Sequence, residues 1–266
     1  MTPADRSFED RVDFGRTAAD YSRFRQGFPA EFFERLRARD IGVPGQRVLD
    51  IGAGTGQMAR GLALGGALVT ALDQSADLLA AAAQLDREAG VEVAQVQAAA
   101  ESSGLATGAF DLVTAAQCWH WFDQAKLGPE LNRLLTPGGQ LVLAHLDWLP
   151  WNDNVVAATE ALILEHNPVW TMGGGDGLPT HHVADVQRAG FVEVETCSYD
   201  LDLSYSHEAW GGRIRASAGV AATLDEEETE QFDAELGALL AESFPADPLD
   251  VPHRIFVLTA RRARVS

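Results

Sequence analysis

The chain has 266 residues, of which 46% are hydrophobic and 22% charged, the balance of a globular protein and not of a disordered or fibrous one. Asp and Glu number 39 against 20 for Lys and Arg, which gives a formal net charge of -19. Because this charge repels polyphosphate, we expect no nucleic-acid partner. The two cysteines lie far apart in the sequence and supply neither a disulfide framework nor a metal site, so we predict no metal.

The amino-terminal residues are charged where an export signal places its apolar stretch. The most apolar run, residues 58–72, contains Arg60 and is too short for a membrane helix. We therefore expect a soluble, cytoplasmic protein that does not enter a membrane. These patterns leave the oligomeric state open.

Apolar residues recur at three- and four-residue spacing over residues 14–39, which predicts two short helical pieces, the second beginning at Pro29. From residue 47 onwards, strand and helix patterns alternate, which predicts an α/β domain with a parallel sheet. The predicted strands span residues 47–51, 67–72, 91–96, 110–115, 141–145, 191–201 and 254–259, and the predicted helices 57–64, 76–88, 127–135, 207–217 and 225–243. The segment Pro137-Gly138-Gly139 predicts a turn, and residues 150–190 predict helices and loops.

A glycine-rich turn follows the first predicted strand, with Asp50 before Gly52, Gly54 and Gly56. Strand, glycine turn and helix is the order in which backbone amides and a helix N-terminus approach a ligand closely. A dinucleotide fingerprint has its third glycine at the sixth position, where this chain has Gln57. The carboxylate repels pyrophosphate and attracts an ammonium, so the pattern favours a ligand with an amino-acid tail. An ordinary tight turn is the alternative.

A second acid, Asp73, ends the second predicted strand. It lies about 20 residues beyond the turn, where a carboxylate can accept hydrogen bonds from both hydroxyls of a ribose. The alternative is that Asp73 caps the helix that follows.

The acid before Gly-x-Gly-x-Gly, the acid at the next strand end and the Leu-Thr-Pro-Gly-Gly segment at residues 135–139 together resemble the class I S-adenosylmethionine-dependent methyltransferases. Residues 117–122, Gln-Cys-Trp-His-Trp-Phe, resemble the small-molecule methyltransferase type 11, or trans-aconitate methyltransferase-like, group. The resemblance covers residues 14–146 and implies S-adenosylmethionine as cofactor.

The resemblance also implies which residues bind the cofactor. Asp50 and the backbone of residues 52–56 would hold the methionine moiety and Asp73 the ribose, while Gln74, Ala100 and Glu101 would flank the adenine. The implied cofactor-binding residues are Tyr21, Arg25, Asp50, Gly52, Ala53, Gly54, Gly56, Gln57, Asp73, Gln74, Ala100, Glu101 and Gln117. Many relatives place an Asp where this chain has Ala99, so Glu101 or a backbone carbonyl would accept from the adenine amino group instead.

Residues 21–29 resemble the Tyr-x-x-x-Arg-Pro-x-Tyr-Pro pattern of many small-molecule methyltransferases, with Gln26 in place of the usual proline. In that group the segment folds over the cofactor, so Tyr21 would border the reacting methyl and Arg25 the cofactor carboxylate. An amphipathic helix packed on the surface is the alternative.

In a doubly wound sheet the ligand crevice lies beyond the carboxyl ends of the strands, which selects the aromatic loops after residues 115 and 145. Such rings stack flat substrates and shield a sulfonium. We expect Trp119 to face the crevice, whereas for Trp121 both a place in the crevice and a place in the core stay open. The predicted substrate-contacting residues are Trp119, His120, His145, Asp147, Trp148, Trp170 and Arg213.

His120 is the main catalytic candidate, with Tyr21 as the second. A free histidine has a pKa that suits proton transfer near neutrality, and His120 lies just beyond the fourth predicted strand. A histidine that only packs is the alternative. His166, His181 and His182 could approach from the later insertion.

The predicted fold is therefore a Rossmann-like, doubly wound, seven-stranded, mostly parallel sheet with a helical insertion that covers the substrate. The predicted domains are a lid at 1–40, a cofactor-binding core at 41–150, covering segments at 151–190 and 203–250, and final strands at 191–202 and 251–266. The predicted function is methyl transfer to an O, N or C atom of a small aromatic or apolar metabolite, such as an indole or phenol, in secondary-metabolite tailoring. A nicotinamide-dependent oxidoreductase and a non-catalytic cofactor-binding protein are the alternatives.

Overall fold

The structure is a computed structural model that describes residue 24, residues 26–221 and residues 223–264. The predicted site residues Tyr21 and Arg25 lie outside the described residues, as does most of the predicted cover at residues 14–28. In the described part of the chain, no helix is long and apolar enough to cross a bilayer.

Strands and helices alternate through the first half of the described chain. The strands are β1 (Arg47–Ile51), β2 (Leu68–Asp73), β3 (Val93–Gln97), β4 (Phe110–Ala116), β5 (Leu135–Trp148), β6 (Phe191–Tyr205) and β7 (Leu249–Arg262). The helices are α1 (Ala30–Arg37), α2 (Gln57–Leu64), α3 (Ala76–Glu88), α4 (Gln124–Leu134), α5 (Val155–His166), α6 (His182–Arg188), α7 (His207–Arg215) and α8 (Glu226–Ser243). The predicted elements β1, α2 and α3 are confirmed with their predicted ends.

The strands form one sheet in the order β3-β2-β1-β4-β5-β7-β6. The pairs β1–β2, β2–β3, β1–β4 and β4–β5 are parallel. The sequence prediction of a seven-stranded Rossmann-like sheet is confirmed. The strand order reverses between β1 and β4, and a doubly wound sheet binds its ligand beyond the carboxyl ends of the strands at such a point.

The predicted turn at Pro137-Gly138-Gly139 is wrong, because β5 runs through it. Phe110 of β4 pairs with Leu135, whereas Leu112 pairs with Gln140, so β5 carries extra residues between these two pairs. Gly138 adopts a φ of 78° there, in the left-handed region that glycine tolerates. The glycine segment therefore forms a bulge inside a strand and does not end it.

Helix ends follow local capping. Ser75 caps α3 by accepting a hydrogen bond from the Leu78 amide, and Asp225 and Glu228 form a capping box at the start of α8. The acidic run at residues 225–228 is thus a helix start, as the sequence predicts.

The chain divides into two compact units. The sheet unit contains Gly27–Leu146, Pro179–Ser198 and the residues from Ile255 onwards. The helical unit contains Asp147–Leu178 and Tyr199–Arg254, together with the described residues 24 and 26. Each unit is described separately below.

Candidate functional site

In the sheet unit, the turn after β1 has a backbone that requires glycine. Gly52, Gly54 and Gly56 have φ values of 61°, 56° and 76°. A Cβ on Gly52 would lie 2.9 Å from Cys118 Sγ, whereas a Cβ on Gly54 would meet nothing within 4 Å. The turn is therefore packed against the protein at its first glycine and open at its second, where a ligand could approach the backbone.

Asp50 carries a buried carboxylate directly before this turn. Its side chain is 1% exposed, and its Oδ1 accepts a hydrogen bond from Thr114 Oγ1 at 2.7 Å. Its Oδ2 is also buried and has no close hydrogen-bond partner among the described residues, with the Ala59 backbone amide in the first turn of α2 as the nearby group that favours the charged form. Burial, helped by the nearby charge of Asp73, raises the pKa of Asp50 to about 7. A bound ammonium would supply both the missing donor and the missing positive charge.

Asp73, at the end of β2, ties the turn to the following helix. Its Oδ2 accepts from the Gly54 amide at 2.8 Å and its Oδ1 from the Ser75 amide at 2.9 Å. The N-cap of α3 is Ser75 and not Asp73. Asp73 instead binds the backbone amide of the N-cap residue. Each carboxylate oxygen has a second lone pair, which leaves acceptors for two ribose hydroxyls.

The residues predicted to flank an adenine lie after β2 and β3. Gln74 is exposed, and Ala100 is buried at the start of a 3-10 turn, Ala100–Ser102. Glu101 Oε1 accepts a hydrogen bond from the Asp123 amide at 2.9 Å, before α4. Glu101 therefore has a structural contact with the α4 start, and its role toward adenine stays a prediction.

Three other predicted cofactor residues border the same region. Ala53 donates its amide to Leu72 O at 3.0 Å, and Gln57 is the first residue of α2 and packs beside Gly27. Gln117 follows β4 with a φ of 62°, and its Nε2 donates to Leu146 O at 2.5 Å. Gln117 thus joins the ends of β4 and β5, a link that the sequence does not reveal.

The two tryptophans after β4 differ in burial. Trp119 is 1% exposed, whereas Trp121 is 37% exposed. Both belong to a short 3-10 helix, Trp119–Trp121, which turns the first ring inwards and the second outwards. The indole N–H of Trp119 is buried, finds no hydrogen-bond partner among the described residues and lies beside His182. The role of Trp119 toward a substrate stays a prediction.

Histidine rings gather beside Trp119. The His145 and His182 rings stack with their centroids 5.2 Å apart, and the His120 and His145 centroids are 6.5 Å apart. Asp185 Oδ2 lies 3.3 Å from His182 Nδ1. In the described part of the chain, no group of three or more His, Cys, Asp or Glu side chains has the geometry to hold a metal ion.

Burial keeps the inner histidines neutral. Desolvation, with smaller contributions from His182, His120 and His181, lowers the pKa of His145 to about 3. Desolvation also lowers the pKa of His182, against the opposing effect of Asp185. His120 is the half-buried member of this group and packs against Trp121.

We expect the buried histidines to destabilise the protein in acid. A histidine with a lowered folded pKa takes up its proton on unfolding, so stability is lost as the pH falls from the unfolded pKa of about 6.5 toward the folded pKa. For His145 this window reaches down to about 3. The unfolding free energy of His145→Gln should therefore fall less steeply with decreasing pH than that of the wild type, by up to about 1.4 kcal/mol per pH unit. Urea unfolding between pH 7 and pH 4 measures this slope. His181→Gln, at an exposed position beside it, is the control, and equal slopes for wild type and His145→Gln would contradict the prediction.

In the helical unit, Trp148 is held by three neighbours. Its Nε1 donates to Glu160 Oε1 at 2.7 Å, and the Arg213 guanidinium lies 4.7 Å from the centre of its ring. Trp210 meets it edge-on at 5.6 Å. Trp148 is half-buried, and Asp147 before it is half-buried as well. Arg213 thus stacks on a predicted substrate-contacting ring.

Trp170 is a buried ring of the helical unit. Trp170 is 5% exposed. A Cβ placed on Gly173 would lie 2.7 Å from a ring atom of Trp170, and a Cβ placed on Gly219 would lie 2.8 Å from its nearest atom. Trp170 ring atoms also lie 3.1 Å from a Cβ placed on Gly219. The ring therefore packs on glycine backbone, and its contact with the acceptor stays a prediction.

Sequence reasoning missed two residues of these sites, Thr114 and Glu160. Glu160 shares one face of α5 with the buried Val156 and Ile163. A carboxylate on an apolar helix face was the available signal.

Comparison with known proteins places these features in a family. Residues 49–143 match the family model described as a methyltransferase domain. An uncharacterized methyltransferase of Mycobacterium tuberculosis is 35% identical over 132 residues, 50% of this chain and 51% of that protein. The chain thus spans about half the length of the first curated relatives it matches. A ubiquinone biosynthesis O-methyltransferase of Xanthomonas oryzae is 30% identical over 180 residues, 67% of this chain and 73% of that protein.

The chain belongs to the class I S-adenosylmethionine-dependent methyltransferases. The family resemblance predicted from the sequence is confirmed, which excludes the alternative of a nicotinamide-dependent oxidoreductase. The structure of a candidate type II methyltransferase from Anaeromyxobacter dehalogenans has the same fold, with a TM-score of 0.63 at 23% identity over 91% of this chain and 100% of that one.

S-adenosylmethionine is the cofactor of this family, and the residues present fit it. Asp50 presents a buried carboxylate suited to the cofactor ammonium, and the open side of Gly54 leaves room for the cofactor to approach the backbone of the turn.

Proposed function

We propose that this family member transfers the methyl group of S-adenosylmethionine to a nucleophilic atom of a small aromatic or apolar metabolite. The observation that carries the proposal is the buried Asp50 carboxylate, which lies directly before an open glycine turn. Burying an ionisable group without a partner is costly, and a cationic ligand group offsets that cost.

The cofactor supplies an activated methyl group on a sulfonium. Asp50 would hold the ammonium, and Asp73 would accept from the ribose hydroxyls while it keeps the Gly54 amide in place. His120, half-buried after β4, would take the acceptor's proton or orient the acceptor. Holding the reacting atoms in line and excluding water accounts for most of what the protein adds.

We favour an oxygen nucleophile, because the relative from Xanthomonas oryzae is named an O-methyltransferase. The exposed Trp121, in the sheet unit that also contains the glycine turn, offers a ring for a flat acceptor. A phenol is therefore the acceptor class to test first, ahead of indoles. Tailoring of a secondary metabolite is the role we propose for such a reaction.

The test is a set of incubations with S-adenosylmethionine and small phenols, indoles or aliphatic acids, with the products read by mass spectrometry. A mass gain of one methyl group on a phenol supports the proposal. Cofactor binding without transfer to any acceptor would favour a non-catalytic binding protein instead.

We expect Asp73→Asn to weaken binding of S-adenosylhomocysteine by roughly 10-fold to 150-fold. The reason is the loss of charged hydrogen bonds, worth about 1.5 to 3 kcal/mol. Titration calorimetry measures the affinity. Asp77→Asn is the matched control, because Asp77 is an exposed carboxylate in the first turn of α3. Unchanged affinity in Asp73→Asn would remove the ribose assignment.

A further inference from the structure

The third glycine of the turn is packed against two helices of the sheet unit. A Cβ on Gly56 would lie 3.1 Å from Ala82 Cβ of α3 and 3.5 Å from Arg60 Nη1 of α2. Gly56 is also the N-cap of α2, with a φ of 76°. The far end of the turn therefore lies against side chains of the protein, and neither Ala82 nor Arg60 is among the residues that we propose to bind the cofactor.

Arg60 joins the turn to α3. Its Nη1 donates to the carbonyl oxygen of Thr55 at 3.2 Å and to Asp86 Oδ1 at 3.0 Å. Asp86 Oδ2 accepts from Gln95 Nε2 of β3 at 3.1 Å. A chain of hydrogen bonds thus runs from β3 through α3 and α2 to the backbone of the turn, and all of its members belong to the sheet unit.

The bond from Arg60 fixes a peptide group that the turn itself fixes from the other side. The Thr55 carbonyl and the Gly56 amide belong to one planar peptide unit. The Gly56 amide donates to Ala53 O at 2.9 Å inside the turn. Because both ends of the unit are bonded, it cannot rotate without breaking a hydrogen bond, and the open face at Gly54, next along the chain, keeps its shape.

The pair of Arg60 and Asp86 contributes little net stability of its own. Both side chains are largely buried, with 16% and 4% exposed. Burial raises the pKa of the Asp86 carboxyl against the lowering effect of Arg60. Taking two charges out of water costs about as much as their attraction returns, so apolar side chains would give similar stability here. Apolar side chains would not supply the donor for the Thr55 carbonyl.

We propose that Arg60 and Asp86 are positioning residues for S-adenosylmethionine: Asp86 orients the Arg60 guanidinium, and Arg60 holds the glycine turn in the shape that binds the cofactor. The proposal rests on the proposed function and places neither side chain in contact with the cofactor. When a binding-competent shape is populated only part of the time, the apparent affinity falls by that fraction. Loss of the pair should therefore weaken binding, because the free turn then spends part of its time in other shapes.

The test removes both charges at once, in Arg60→Met/Asp86→Leu, so that no unpaired buried charge is left. We expect affinity for S-adenosylhomocysteine, measured by titration calorimetry, to fall roughly 10-fold, the lower end of the range for a hydrogen bond to a charged group. The thermal midpoint of the cofactor-free protein should stay within about 4 °C of the wild type. The matched control is Arg47→Met/Asp111→Leu, which removes an ion pair at the amino ends of β1 and β4. That end of the sheet is opposite to the turn, so the control should bind with wild-type affinity.

Two single variants separate the hydrogen bond from the charge. The amide oxygen in Asp86→Asn can still accept from Arg60, whereas Asp86→Leu has no acceptor. We expect Asp86→Asn to keep the affinity within about 3-fold of the wild type and Asp86→Leu to lower it roughly 10-fold. Equal affinities in these two variants overturn the proposal, and so does wild-type affinity in the double variant.

Amide hydrogen exchange at Gly56 measures the turn without any cofactor. The double variant should speed exchange at Gly56 at least about 10-fold relative to the control variant, with no such change at the amides of β4. Equal rates at Gly56 overturn the proposal. Equal changes at Gly56 and in β4 mean a general loss of stability and overturn it as well. A wild-type protein that does not bind S-adenosylhomocysteine would instead contradict the proposed function, and the exchange comparison still decides whether the pair holds the turn.

Discussion

Asp50→Asn is expected to abolish cofactor binding and at the same time to stabilise the protein without its cofactor. The variant keeps an oxygen that can accept from Thr114 Oγ1, so the buried contact survives. It loses the negative charge that the cofactor ammonium would meet. Breaking a buried charge pair costs about 3 to 5 kcal/mol, so we expect affinity for S-adenosylhomocysteine to fall at least about 100-fold.

The gain in stability follows from the raised pKa of Asp50. The Asp50 carboxyl binds its proton more tightly in the folded protein than in the unfolded chain. The free energy of unfolding therefore falls as the pH rises from the unfolded pKa of 3.8 through the folded pKa of about 7. At about 1.4 kcal/mol per pKa unit, this difference corresponds to about 4 kcal/mol above pH 7. Asparagine does not ionise, so its advantage over Asp50 should be close to zero near pH 4 and should grow up to pH 8.

Urea unfolding of the cofactor-free protein at several pH values measures this advantage, and titration calorimetry measures affinity. Asp111→Asn serves as a control of opposite sign, because a hydrogen bond from Arg47 lowers the pKa of Asp111. That variant should lose stability at neutral pH. An Asp50→Asn protein that is less stable than wild type at pH 8 would show that the carboxylate has a partner in the free protein.

His120→Gln is expected to lower turnover by a factor of about 100 to 10,000, the usual range for loss of a general base. His120 is half-buried, whereas His145 and His182 beside it are buried and held neutral. Cofactor affinity and thermal midpoint should stay near the wild-type values, because the carboxylates that we propose to bind the cofactor lie on β1 and β2. The acid limb of the wild-type pH–rate profile should disappear in the variant.

The control for this variant is His181→Gln, since His181 belongs to the same ring cluster and is exposed. It should retain wild-type turnover. If His120→Gln turns over at the wild-type rate with an unchanged pH profile, the base lies elsewhere or the acceptor needs none. If instead the thermal midpoint falls and turnover follows it, His120 only packs.

The parts of the fold that depend on neighbouring residues were predictable from the sequence. The ends of β1, α2 and α3 follow from short apolar runs, glycines and a serine cap, all of which act within a few residues. The turn at residues 52–56 was predictable for the same reason, since its glycines and Asp50 are adjacent in the chain. The resemblance to the family rested on this turn together with Asp73, the segment at residues 135–139 and the segment at residues 117–122.

The features that depend on distant contacts were not predictable. Trp119 and Trp121 have similar side chains two residues apart, and only the 3-10 helix decides which is buried. The sequence predicts a turn at the bulge of β5, because proline and glycine are typical of turns. The strand continues there through pairing with β4, which the sequence of β5 alone does not predict. Glu160 was missed because its partners lie far away along the chain.

The bond between Asp73 and the Gly54 amide has a kinetic consequence. It holds the turn in its left-handed conformation through a contact within the protein itself. A loop that is already ordered has little conformational entropy left to lose when a ligand arrives, and association does not wait for a rearrangement. Encounter with the cofactor at this turn should therefore give a single exponential phase whose rate is linear in cofactor concentration, and the lifetime of the complex should set its affinity.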